Sequence, residues 1–399
     1  RIMKITDLKV AIIGNLPVVR ITTDEGIDGI GAAETTKPYL KPMIEFYRDM
    51  IIGKDPKNVE RVMLGIRRMG AFKPWGAAVS SIEFALWDIA GKAAGVPTHR
   101  LLGGKIRDKV QVYNGNVRFK RNGNEPEDYA ASMQQMKDHP YKFSIIKEAV
   151  SFHGGMNLAV DNFYFGTSAT GQRHPNRGTM TPKGFKYLMK CIEAMLDVLG
   201  DDVALALDCG PGMTVPDALK LAKELEGSNI IWLEDMVTGD YTPYVLADLY
   251  RQITPYTTTH IHTGEQIYLR QNFVELIERN AVNILGPDPA DVGGLAEMKF
   301  ICEYADLHGI LFAPHGRFDG LIGLAAHVQL ASTLPDNYLA FELPQADFEW
   351  WNDIMEGHEN LEVKNSHIEV PDTPGLGVTF IPEKAKRYLR DEDADFFDN

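Results

Sequence analysis

Between Val203 and His315 five short apolar runs each end in an acidic residue or a histidine followed by a turn. They are VALALDCG at Asp208, IIWLEDM at Glu234, TTHIHTGEQ at Glu265, VNILGPDP at Asp288 and ILFAPHG at His315. Runs rich in leucine and β-branched residues, bounded by Gly and Pro, read as fully buried strands. The intervening DALKLAKEL, NFVELIERN and LAEMKFICEYADLHG read as helices. Strand followed by helix, repeated, builds a parallel sheet with a helical cover, and a sheet of this length closes into a barrel. The reactive side chains then emerge together at the carboxyl end of the strands, the rim on which such barrels carry their chemistry.

Taken singly, Asp208, Glu234 or Glu265 reads as a surface acid at the start of a loop. Together they interrupt apolar strands at the same structural point, which a scatter of surface acids does not do. Three carboxylates with water or substrate completing the coordination suit a hard divalent cation, and oxygen-only ligation of this kind is typical of Mg²⁺.

The chain has 399 residues, room for a barrel of roughly 250 residues and a second domain. A net charge of −14 argues against nucleic acid or an anionic membrane as partner. It leaves a small carboxylate substrate open, because a bound metal reverses the local potential. The three cysteines, Cys191, Cys209 and Cys302, have no CxxC spacing and indicate neither a disulfide framework nor a zinc site. No apolar run reaches the roughly 18 residues that span a bilayer, and the opening RIMKITDLKV lacks a signal-peptide core, so the expected compartment is the cytoplasm.

Residues 4–35 alternate in short β runs separated by Gly, Asn and Asp, an antiparallel meander with a mobile tip at Gly14 to Pro17. Residues 41–95 turn helical; in AVSSIEFALWDIAGKAAG, Val79, Ile82, Leu86, Ile89 and Ala93 form one stripe. Phe72, Lys73 and Trp75 lie in the Gly/Pro loop before it, placed to touch a barrel mouth. VQVYNG is the first barrel strand and FSIIKEAV the second, which puts Lys147 on the rim. The insert 150–181 shows no period. It reads as a lid, a binding loop, a subunit contact or a plain surface excursion, with His153, Arg173, His174 and Arg177 as donors to a hydroxylated anion. YLAFELP is the last barrel strand and ends at Glu342. The remainder packs back onto the barrel, the acidic DEDADFFDN frays, and Trp350 and Trp351, read as exposed, or the insert mark the contact of a homo-oligomer.

In this order, with WLED, TGEQ, PDPADVGG and APHG around them, the rim residues resemble those of the enolase superfamily, in particular the mandelate racemase subgroup with its acid-sugar dehydratases. The separations 234 − 208 = 26 and 315 − 288 = 27 each fit one strand-helix unit of such a barrel. The resemblance covers nearly the whole chain. It implies an α+β capping domain at 1–108, a modified TIM barrel, (β/α)₇β, at 109–345, and a C-terminal segment at 346–399 that returns to the cap.

It further implies Mg²⁺ on Asp208, Glu234 and Glu265, and a dyad in which Asp288 orients His315 and raises its basicity. Glu342 would contact the developing enediolate oxygen, and the Gly14–Pro17 and Phe72–Trp75 loops would close over substrate. Many members carry Lys-x-Lys on the second strand, where this chain has Lys147, Glu148 and Ala149. Lys147 is then either a ligand of the substrate carboxylate or itself a base. One-base dehydration of an aldonate or aldarate is favoured, with Lys147, Asp288, His315 and Glu342 as catalytic groups and Trp75, His153, Arg173 and His174 on the substrate. The rivals are a racemase or epimerase using the same enediolate and a sugar-acid binding protein without turnover.

Overall fold

The computed structural model describes residues 2–69, 76–150, 155–165, 179–210, 212–237, 246–316, 320–344 and 349–399. Alternation of apolar and polar residues at the start of the chain gives strands β1 (Ile5–Ile13), β2 (Leu16–Thr23) and β3 (Asp28–Ala32), paired antiparallel in sequence order. The meander stacks on the helix Gly76–Ala94. Val79, Ile82, Leu86 and Ile89 face the cap's core, whereas Phe84 joins the core of the barrel. A helix buried on nearly every side thus joins the two layers.

The barrel strands are β4 (Lys109–Tyr113), β5 (Ile145–Ala149), β6 (Ala204–Asp208), β7 (Ile230–Glu234), β8 (Ile261–Thr263), β9 (Ile284–Leu285), β10 (Leu311–Phe312) and β11 (Phe341–Glu342). β5 to β10 form a parallel sheet in chain order. Parallel bridges Asn114 to Ile146 and Phe312 to Tyr338, with β11 parallel to β4, close the ring. Helices Pro126–Lys137, Pro182–Leu199, Val215–Glu224, Val274–Glu278, Leu295–Leu307 and Gly320–Ala331 fill six of the crossovers. The crossover from β7 to β8, where the sequence suggests no helix, carries the single turn Ala247–Tyr250. Beyond β11 the strand His367–Glu369 pairs antiparallel with β4.

Three sequence expectations are corrected. Gly14 and Asn15, both at positive φ, form a tight two-residue turn, and Leu16 and Pro17 already belong to β2. That turn abuts the C-terminal segment, since a Cβ on Gly14 would come within 2.3 Å of the Trp350 ring. The second correction concerns the tryptophans: Trp351 is 1% exposed and Trp350 is half-buried, stacked on Trp351 with ring centroids 4.7 Å apart, so they are spent inside the molecule.

The acidic tail, third, is pinned rather than frayed. Asp393 and Phe396 are buried, Asp393 accepts the Ile12 N–H at 2.9 Å, and Lys9 and Arg20 donate to the carbonyl of Asp398. Apolar Phe396 and the cap's cations outweigh the charge repulsion that composition alone suggests. Among the described residues no helix is long and apolar enough to cross a membrane.

Candidate active site

Parity along the strands decides which side chains meet inside the barrel. Ile145, Ala206, Trp232, Ala313 and Ala340 fill one inner layer with Tyr113 and Ile284. Two residues further along each strand the same face presents Lys147, Asp208, Glu234, His315 and Glu342. The chemistry stands on a packed apolar floor.

Lys147 is buried, with Nζ 2.8 Å from Glu234 Oε2 and 3.3 Å from Glu342 Oε1. Burial, the largest single influence, disfavours the ammonium, yet the charges of Glu234 and Glu342 hold its pKa well above the usual lysine range. Lys147 is therefore a fixed cation. Trp232 Nε1 donates to Glu234 Oε1 at 3.3 Å, and the His262 ring stacks on Trp232 with centroids 5.0 Å apart.

Asp208 and Glu234 are direct neighbours across β6 and β7. They and Asp235 each offer a carboxylate oxygen, all within 4.8 Å of one another. Asp235 joins Asp208 and Glu234 in this cluster, and Glu265, the third acid of the sequence reading, is hydrogen-bonded to Asp235. Its φ of +54° turns the chain back just after Glu234, so two consecutive acids serve one side of the rim. Burial first, then the charges of Glu265 and Glu234, push the Asp235 carboxyl well up. A hydrogen bond joins it to Glu265, and Thr263 Oγ1 donates to Asp235 Oδ1 at 2.8 Å. Carboxylates this close and this dry need a cation or a shared proton. An all-oxygen set of this kind fits a hard divalent ion, with Glu265 one hydrogen bond away.

His315 is 6% exposed, its Nδ1 2.7 Å from Asp288 Oδ2 and its Nε2 2.8 Å from Glu265 Oε2. Asp288 is itself fixed, its Oδ1 accepting the Ala290 N–H at 2.8 Å as it caps the turn Pro289–Val292. Burial opposes a charged ring. Glu265, Glu342 and the bond to Asp288 outweigh it and hold the imidazole well above its ordinary range. Glu342 Oε1 lies 3.7 Å from Nε2 and also contacts Lys147. An imidazole, a buried ammonium and a carboxylate cluster thus meet at the barrel mouth.

Trp75, His153, Arg173 and His174 lie outside the described residues. Sequence reading missed Asp235, Tyr113, Trp232 and His262. The last three carry the same inward parity as the rim residues; Trp232 stands two positions before Glu234, a signal that strand parity could have supplied.

A capped (β/α)₇β barrel with acids, a lysine and a histidine on its carboxyl rim defines the class. Residues 11–103 match the mandelate racemase/muconate lactonizing enzyme N-terminal domain, and residues 174–385 match the enolase C-terminal domain-like family. The chain is 32% identical to a D-xylonate dehydratase of Haloferax volcanii, covering 94% of this chain and 86% of that one. It is 30% identical to a D-mannonate dehydratase of Caulobacter sp. strain K31, over 97% and 95% of the two chains. A crystal structure of a mandelate racemase/muconate lactonizing enzyme-like protein from Rubrobacter xylanophilus superposes with a TM-score of 0.81 at 28% identity, covering 98% and 99%. This chain belongs to the mandelate racemase/muconate lactonizing enzyme family of the enolase superfamily.

Proposed function

We propose that this protein is a Mg²⁺-dependent hydro-lyase that dehydrates an acid sugar, an aldonate or aldarate, to a 2-keto-3-deoxy acid. The observation that carries this reading is the orientation of His315: Asp288 takes Nδ1, and Nε2 meets Glu265 beside the carboxylate cluster that Lys147 also touches. The dehydratases of xylonate and mannonate among its relatives support the same substrate class.

Asp208, Glu234 and Glu265, with Asp235 beside them, would hold the ion, which supplies electrostatic stabilisation of charge developing on the substrate carboxylate. Lys147, whose ammonium lies beside Glu234, would bind the same carboxylate. Nε2 of His315 takes the α-proton, and Asp288 stabilises the imidazolium that results. The enediolate electron pair then expels the β-hydroxyl, which leaves as water with the proton from His315. The enol product ketonises, so water is the only atom loss. Glu342 lies between Lys147 and His315, where it can contact the enediolate oxygen.

A racemase needs a second base on the opposite face. Lys147 is a poor candidate because its ammonium is already engaged by Glu234 at 2.8 Å and Glu342 at 3.3 Å, and Ala149 has no basic group. One-base elimination fits better. The test is to incubate the protein and Mg²⁺ with a panel of aldonates and aldarates and assay 2-keto-3-deoxy acid. α-Deuterium uptake from D₂O without loss of water would instead establish the racemase, and binding without either would establish a sugar-acid binding protein.

A further inference from the structure

We propose that Glu34, held by Lys37, is a positioning residue for the His315–Asp288 dyad, contributed by the capping domain to a base that the barrel carries. This deepens the function proposed above and rests on it. Glu34 stands two residues beyond β3, 6% exposed, and forms an ion pair with Lys37. Its carboxylate, that of Asp288 and that of Asp291 all lie within 4.8 Å of one another. Glu34 also shares a hydrogen bond with Asp291.

Two carboxyl groups can share a hydrogen bond only if one keeps its proton. Burial, followed by the charges of Glu34 and Asp288, pushes Asp291 well up, whereas the bond from Asp291 and the Lys37 charge overcome burial and hold Glu34 down. The order of groups is then ammonium, carboxylate, carboxyl, carboxylate and imidazole, running Lys37, Glu34, Asp291, Asp288, His315. Glu34 fixes Asp291, and the Asp291 proton leaves the negative charge of Asp288 for the imidazole. A second metal site is a poorer account of these oxygens. Lys37 already supplies the positive charge, and Asp288 is engaged by His315 and by the Ala290 N–H.

The cap also grips the backbone behind Asp288. A Cβ on Gly76 would lie 2.2 Å from the Asp291 carbonyl oxygen, so only glycine admits this approach. Ser80 Oγ accepts the Gly293 N–H at 3.0 Å, and Glu83 accepts the Leu295 and Ala296 N–H groups at 2.8 and 3.0 Å. One cap helix therefore fixes the segment on which Asp288 and Asp291 stand.

Glu34→Gln keeps the size of the side chain and removes its charge. With Mg²⁺ and an acid sugar that the wild type dehydrates, kcat should fall about 10-fold to 100-fold, in the range of lost outer-shell partners, with KM unchanged. Nitrogen-15 spectra of the histidine rings, with His315 assigned through His315→Asn, give a readout independent of turnover: the Nδ1–H signal to Asp288 should exchange faster in the variant. Unchanged kcat and an unchanged His315 signal would overturn the proposal. So would a loss of kcat that tracks a lower melting temperature while that signal stays as in the wild type. If the wild type turns over no acid sugar, the function proposed above fails and the spectra alone decide this one. Should Glu34→Gln not fold, Lys37→Met, at a partly exposed side chain, is read by the same two criteria.

Discussion

The ammonium of Lys147 lies 2.8 Å from the carboxylate of Glu234, a contact between strands that are not neighbours in the barrel. It places a permanent positive charge against one of the acids expected to hold the metal. Two cations would compete for that acid, and the lysine is the one the chain cannot release.

Replacing Lys147 with Met should therefore have opposite effects on metal and turnover. Mg²⁺ should bind several-fold tighter by calorimetry, because the charge competing for Glu234 is gone. Turnover should drop by about 10² or more with the loss of an electrostatic stabiliser of this kind. Equal turnover in the variant would remove Lys147 from the chemistry.

His315→Asn should lower kcat by about 10² to 10⁴, the usual worth of a positioned base. Asp288→Asn should lower it in the same direction by less, since the ring remains but loses its anionic partner at 2.7 Å. A His315→Asn protein that dehydrates its substrate as fast as wild type would end the dyad's part in the reaction.

Metal binding should be linked to proton release. His315 sits well above its ordinary range largely because Glu265 and Glu342 face it against the cost of burial, and the Asp235 carboxyl is pushed well up next to Glu265. An ion that engages Glu265 weakens both arrangements, so protons leave as it binds and Mg²⁺ affinity rises with pH. Calorimetry in buffers of different ionisation enthalpy measures the release. A Kd that does not change between acid and neutral pH would contradict it. Chelation should abolish turnover, and re-addition of the ion at 100 times its Kd should restore about 2.7 kcal/mol of stability.

Glu83→Leu should destabilise the fold by about 3 kcal/mol, because the N–H groups of Leu295, Ala296 and Trp87 Nε1 lose their buried acceptor. Urea unfolding checks the size. A shift below about 0.5 kcal/mol, the usual surface range, would show that this tie between cap and barrel is dispensable.

Much of the rim was legible because the signal was local. Asp208, Glu234, Asp288 and His315 each end an apolar run before a turn, and a strand end is a place that sequence can locate to within a residue or two. Lys147 and Glu342 followed from the same logic. Glu265 was legible as a rim residue, but its bonds to His315 and Asp235 were not, since they depend on where side chains from three strand ends point. Asp235 reads as a turn residue until its positive φ is known.

The tail and the tryptophans failed for a related reason. Composition marked DEDADFFDN as a charged end, yet Lys9, Lys41 and Arg20, distant in the chain, are its partners. Trp350 and Trp351 carry no label of exposure in a sequence; the Gly14 turn and Gly320 beside them decide it.

By itself, then, the order of residues determined the repeating strand-helix pattern, the barrel and the kinds of group on its rim, because hydrophobic periodicity and turn chemistry act over a few residues. Only the tertiary structure decided which acids touch, which of them keeps a proton, and that Glu34 of the cap stands behind Asp288 of the barrel. Those outcomes depend on distances of a few ångströms between groups as far as 257 residues apart in sequence, where burial sets the cost of every charge and the nearest partner determines how it is met.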